Sequence, residues 1–128
     1  MSSVVRFRRI RDDSHYIYLD IELDFESGDK TVPPIGVRQY KLMIMSSIRS
    51  LFGDFGAKLL VDLIQYRDRD FRAIIRSNAK DLVRIRNALI MPLDWEHRVC
   101  RFRIHKISHS LSSLAIDPIK PLILDNDV

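Results

Sequence analysis

The stretch YIYLDIELDFE, residues 16–26, decides the fold. Its polarity alternates without a break. Ile17, Leu19, Ile21, Leu23 and Phe25 fall on one side; Tyr16, Tyr18, Asp20, Glu22, Asp24 and Glu26 fall on the other. A period of two over that length describes a strand with one face against a core and one face turned away from it. No helix can hold this pattern on one stripe, so the first element after the N-terminal residues is a sheet strand.

Outward from that strand the period changes. SGDKTVPPIG, residues 27–36, is a loop by its Gly and Pro content. From Val37 the apolar residues Val37, Tyr40, Ile44, Ile48, Leu51 and Phe52 recur on a helical stripe, which Gly53 ends. LLVDLIQY, residues 59–66, reads as a second strand, RDRD as a turn and FRAIIR, residues 71–76, as a third strand. Asn78 is placed to cap a second helix, with Asp81 near its start, and the helix runs to about Met91, before Pro92. Its stripe is Ala79, Leu82, Ile85 and Leu89, widened by Val83 and Ile90, with Arg86 inside it. RVCRFRIHKI, residues 98–107, is a fourth strand; the serine-rich residues 108–113 start a short helix, and KPLILD adds an edge strand or docks on the body. The order β-α-β-β-α-β is the split βαβ, ferredoxin-like arrangement, an α+β sandwich with an antiparallel sheet and two helices on one face. It divides the chain into a basic arm, 1–14, a ferredoxin-like domain, 15–107, and an extension, 108–128.

Composition agrees with one domain: 128 residues, 46% apolar and 30% charged, with 21 Lys+Arg against 17 Asp+Glu and a net charge of +4. So small an excess makes the distribution of charge more telling than its sum. Cys100, the only cysteine, excludes an internal disulfide and a multi-cysteine zinc module. No apolar run approaches the roughly 20 residues of a membrane helix, and MSSVVRFRRIR lacks the apolar core of a secretory signal.

Strand phases predict the sheet surface. The third strand keeps Phe71, Ala73 and Ile75 inside and sends out Arg72, Ile74 and Arg76. The fourth keeps Cys100, Phe102 and Ile104 inside and sends out Arg101, Arg103 and His105. In this fold strand one lies between them, so an acidic strand is flanked by two basic ones and cross-strand neutralisation follows. An RNA-recognition motif on the same layout needs outward aromatics on the central strands. FRAIIR has one aromatic, and it points inward, so the sheet face reads as a place for salt-bridged protein contact.

Two of the four glycines stand in GDFG, residues 53–56. As a KH-type clamp the motif sits between helix and strand instead of two helices, and it sets Asp54 against phosphate. As a phosphate loop it lacks GK[ST]. The reading preferred is structural: Gly53 ends the helix, Gly56 turns the chain into strand two, and Phe55 drops into the core. Arg6, Arg8, Arg9 and Arg11 form a phosphate-binding arm, with a solvated tail or a nuclear-import signal as the plainer readings. Leu42 and Met43 lie off the helical core stripe and, with Met45, suggest a protein-facing surface. His15, His97, His105 and His109 are scattered, and no nucleophile–His–acid or metal set can be argued from their spacing.

Taken in order, HYIYLDIELDF, KLMIMSSIRSLFGDFGA, AIIR, LVRIRNAL and VCRFRI resemble the small protein subunits of ribonuclease P and RNase MRP, the Pop-five/Rpp-fourteen family, over residues 15–107. The HY start, the AIIR–LVRIRNAL spacing and C-x-F-R-I stand closer to the Rpp-fourteen branch; GDFG and the early VRF are more like Pop-five. The resemblance implies a non-catalytic subunit of an assembly whose RNA removes the 5′ leader of precursor tRNA. It implies a TIM-barrel-like partner, Rpp-thirty, and other ribonuclease P/MRP proteins, a nuclear and nucleolar location, no cofactor and no catalytic residue. Arg6, Arg8, Arg9 and Arg11, with Arg101 and Arg103, are the RNA-contact candidates. A ferredoxin-like ligand-binding or regulatory module without RNA is the second reading, and an enzyme on the same fold the third.

Overall fold

A computed structural model describes residues 15–26, 32–111 and 114. The alternating stretch is strand β1 (Tyr16–Phe25), and helix α1 (Val37–Phe52) follows it. A 3-10 turn over Gly53–Lys58 leads to β2 (Asp62–Arg67) and β3 (Arg72–Asn78). A short 3-10 turn, Ala79–Asp81, opens α2 (Leu82–Leu89); β4 (Leu93–Trp95) and β5 (Arg98–Ser108) complete the order. The strands form one antiparallel sheet, β2-β3-β1-β5-β4, with β1 at its centre as expected of the ferredoxin-like order.

The apolar side of β1 builds the core. Leu19 and Ile21 are fully buried, and Ile17, Leu23 and Phe25 nearly so, against Tyr40, Ile44 and Ile48 of α1 and Ile85, Ala88 and Leu89 of α2. Burying this many large side chains is what holds two short helices on the sheet, since an eight-residue helix has little stability of its own. Tyr40 and Tyr66 stack at 4.3 Å, and Tyr40 meets the Phe102 ring edge-on at 5.5 Å. Each phenol donates a 2.7 Å hydrogen bond to a backbone carbonyl, Tyr40 to Phe71 and Tyr66 to Ile35. Their polar ends are thus satisfied inside the core.

Several expectations are corrected. The chain adds a strand, β4, in the stretch after Pro92, where the sequence pattern shows none. Trp95 pairs with Arg98 across a two-residue turn in which Glu96 and His97 both have positive φ, 54° and 66°. That twist matches the right-handed twist of the strands. Helix α2 stops at Leu89, short of Met91; the Ile90 and Met91 amides bond back to Arg86 and Ala88 as the helix unwinds. Along α1, Leu51 is exposed, and Met43 and Ser47 are buried in its place. Val83 and Ile90 of the second stripe are exposed as well, because a helix lying on a sheet buries a narrower arc than its apolar residues span. Phe55 does not enter the core: it is exposed, meeting Phe52 edge-on at 6.4 Å and lying under the Arg84 guanidinium at 5.3 Å. The arm with Arg6, Arg8, Arg9 and Arg11, and the KPLILD segment, lie outside the described residues.

Candidate functional site

The sheet face away from the helices divides into two halves. In one half the charges neutralise one another as the strand phases predict. Arg72 donates two hydrogen bonds to Asp20, at 3.2 and 2.7 Å, and Arg76 donates two to Asp62 at the same distances. His105 Nε2 lies 2.7 Å from Glu22. Asp20 is 7% exposed, so its carboxylate depends on the two-pronged guanidinium for compensation. The hydrogen bonds to Asp20 in turn hold the Arg72 guanidinium above its ordinary value. Arg103 stands 3.9 Å from Asp24, with both side chains at least half exposed. Arg101 is exposed opposite Asp24 and makes no ion pair among the described residues. A bulge sets this geometry: Ile21 faces Ile104 but Asp20 faces Lys106, so His105 is the extra residue and Ile107 turns back to face Leu19.

The other half is covered. Tyr18, Ile74 and Leu114 form a second apolar cluster, flanked by Tyr16, Ile64 and Leu111. After β5 the chain folds back over the strands: His109 Nδ1 lies 3.0 Å from the Tyr16 carbonyl oxygen, and Leu114 is 3% exposed. The face away from the helices is thus covered in this half. Tyr18 is buried, and the Arg76 guanidinium covers one face of the half-buried Tyr16 ring at 4.7 Å.

The helical side holds a sizeable groove. It has a volume of about 460 Å³ and runs between α1 and the 91–95 segment. Leu42, 65% exposed, forms one lip with Met91 opposite; Met43 and Trp95 form the floor. Ser46, Ser47 and Ser50 line the α1 wall. Ser47 Oγ is buried without a hydrogen-bond partner among the described residues, an uncommon and costly state. The three sequence candidates therefore separate. Leu42 is exposed, Met43 is buried beneath it in the groove floor, and Met45 is half-buried, packed on the core and off the groove. Sequence reasoning did not single out Ser47, Met91 or Trp95 for this surface, because only the return of the chain after α2 brings them together beside α1.

GDFG proves to be a packing device. Gly53 ends α1 with φ 61° and ψ −141°, its amide bonding to the Arg49 carbonyl. Gly56 is buried, and a Cβ there would stand 2.9 Å from Ile48 Cγ2 and 3.0 Å from the Ile48 carbonyl oxygen. It allows close approach to α1, and its carbonyl accepts the Leu59 amide in the turn that leads to β2. Cys100 is buried, and burial pushes its thiol up to about 11, so it is inert as a nucleophile near neutral pH.

Residues 16–116 match the family model described as Rpp14/Pop5. The chain belongs to the Rpp14/Pop5 family. It is 30% identical over 105 residues to the Mus musculus protein named ribonuclease P protein subunit p14, covering 82% of this chain and 84% of that one. Against the Homo sapiens protein of the same name it is 28% identical over 115 residues, 90% of each. Among solved structures, a chain in the cryo-EM structure of yeast ribonuclease MRP superposes with a TM-score of 0.67 at 18% identity, over 77% of this chain and 76% of that one. At that identity the likeness shows a shared fold alone.

Proposed function

We propose that this chain is a non-catalytic protein subunit of ribonuclease P, shared with RNase MRP, supporting RNA-catalysed 5′ maturation of precursor tRNA in the nucleus and nucleolus. Its near full-length match to proteins named ribonuclease P subunit p14 carries this reading. The paired charges of the sheet support it too, since a neutralised face suits packing in an assembly better than chemistry. RNA contact is assigned to Arg6, Arg8, Arg9 and Arg11, with Arg101 and Arg103 adding to it. Protein contact, including an Rpp-thirty-like TIM-barrel subunit, is assigned to the α1 surface around Leu42, with Met43 beneath it and Met45 alongside.

Purification of the tagged chain tests this directly. Co-recovery of a structured RNA with precursor-tRNA 5′ processing activity is expected. A homodimer carrying a bound metabolite and no RNA overturns the proposal in favour of the ligand-binding reading. Within the purified complex, replacing Arg6, Arg8, Arg9 and Arg11 by Ala is expected to flatten the salt dependence of RNA association, by roughly 0.7–0.9 in log–log slope for each phosphate that is no longer neutralised. An unchanged slope removes the arm from the RNA interface.

A further inference from the structure

The two layers carry their charge differently. On the sheet face Asp20, Glu22, Asp24 and Asp62 each stand beside a basic side chain. Helix α1, VRQYKLMIMSSIRSLF, carries Arg38, Lys41 and Arg49 and no carboxylate; α2, LVRIRNAL, carries Arg84 and Arg86 and again none. Of these cations Arg84 is met by Asp81, at 3.1 Å. At 100° per residue, Arg38 and Arg49 fall on the outer side of Leu42, along the α1 lip of the groove, while Lys41 lies round the helix, away from it. The opposite wall carries a carboxylate, Asp94.

From this complementarity we infer that the groove between α1 and the 91–95 segment receives an amphipathic helix of a protein partner, whose apolar stripe seats against Leu42, Met43 and Trp95 and whose carboxylates face Arg38 and Arg49. The inference rests on the subunit reading and names the chemistry of the occupant at its protein-facing surface. The floor is apolar and fits side chains spaced i, i+3, i+4 and i+7. Ser46 and Ser50, one turn apart, let a second backbone come close. Nucleic acid is opposed by Asp94, which its phosphates would meet on the far wall. A second copy would set the same cationic lip against itself.

The experiment places photoreactive p-benzoylphenylalanine at position 42 of the tagged full chain, purifies the assembly, irradiates it and identifies cross-linked peptides by mass spectrometry. A cross-link to another protein's segment with that apolar spacing and flanking Asp or Glu is expected. In parallel, Arg38→Glu with Arg49→Glu is expected to lower recovery of that protein at least tenfold, and Lys41→Glu to leave it within twofold. Arg38 and Arg49 are exposed and Lys41 is half-buried, and circular dichroism checks that the variants fold. Cross-links to RNA, to a second copy or to nothing, in an assembly that still contains RNA, overturn the inference and leave the subunit reading intact. So does undiminished recovery after charge reversal. Absence of RNA from the purified material overturns the subunit reading itself.

Discussion

At the scale of single residues, the two glycines of GDFG do different work. Gly53 has a φ near that of a left-handed helix but a ψ of −141°, a combination that asparagine relieves no better than alanine. Gly53→Ala and Gly53→Asn are each expected to cost about 1–3 kcal/mol in urea unfolding. Gly56→Ala is expected to cost a similar 1–3 kcal/mol, roughly, by overpacking against Ile48, and Ile48→Val is expected to recover none of it, because valine keeps the Cγ2 methyl and the carbonyl oxygen that a Cβ would meet. Neither distinction is legible in the motif: spacing shows that two glycines are present, and only the packed helix shows which one a Cβ would collide with. The β4–β5 turn places non-glycine residues at two positive-φ positions. Replacing Glu96-His97 by Asn-Gly is expected to raise the thermal midpoint, by an amount equivalent to about 1 kcal/mol or more, because that pair adopts the turn with less strain.

At the scale of elements, the central strands show how far phase reasoning reaches. Alternation in β1 and β3 assigned inward and outward residues correctly, because each residue's side follows from its neighbour's once one face is buried. In β5 the same rule holds through His105, which meets Glu22 on the outward face, and fails after it, where the bulge sets Lys106 opposite Asp20 and Ile107 opposite Leu19. A bulge is set by pairing with β1 and leaves no mark in the strand's own sequence. Burial, in turn, ranks the ion pairs. Arg72→Ala strands a carboxylate that is 7% exposed and is expected to cost roughly 1–3 kcal/mol. Arg103→Ala removes an exposed 3.9 Å ion pair and is expected to cost no more than about 1 kcal/mol. Asp20→Asn combined with Arg72→Ala should be less harmful than the sum of the two, and chemical denaturation of the double-mutant cycle measures that coupling.

For the whole molecule, the stacked phenols at the centre set an alkaline limit. Burial, then the nearby Tyr66 and carboxylates, raises Tyr40 well above its ordinary value; burial, then Asp68 and Asp70, raises Tyr66. The folded state therefore holds its protons more tightly than the unfolded chain. Its stability from these groups is fully present below about pH 10 and falls as pH rises beyond it. Absorbance at 295 nm is expected to show both tyrosines ionising only with cooperative unfolding. Tyr40→Phe with Tyr66→Phe is expected to flatten the decline in stability above that pH. Ionisation of both in a folded chain would show that the core opens around them.

What the sequence determined by itself was the local pattern: the period of two in residues 16–26, the shift to a helical period from Val37, the order of the main elements and the sign of the exposed positions on the central strands. These follow from nearest neighbours along the chain. Only the tertiary structure decided which apolar residues stay uncovered. Leu114 lies on Tyr18 because the chain after β5 turns back, and Met43 is buried where Leu42, its neighbour, is not. The groove exists because residues 91–95 return to α1. Those outcomes depend on where distant segments meet, and contact between distant segments is a property of the folded chain that no local period encodes.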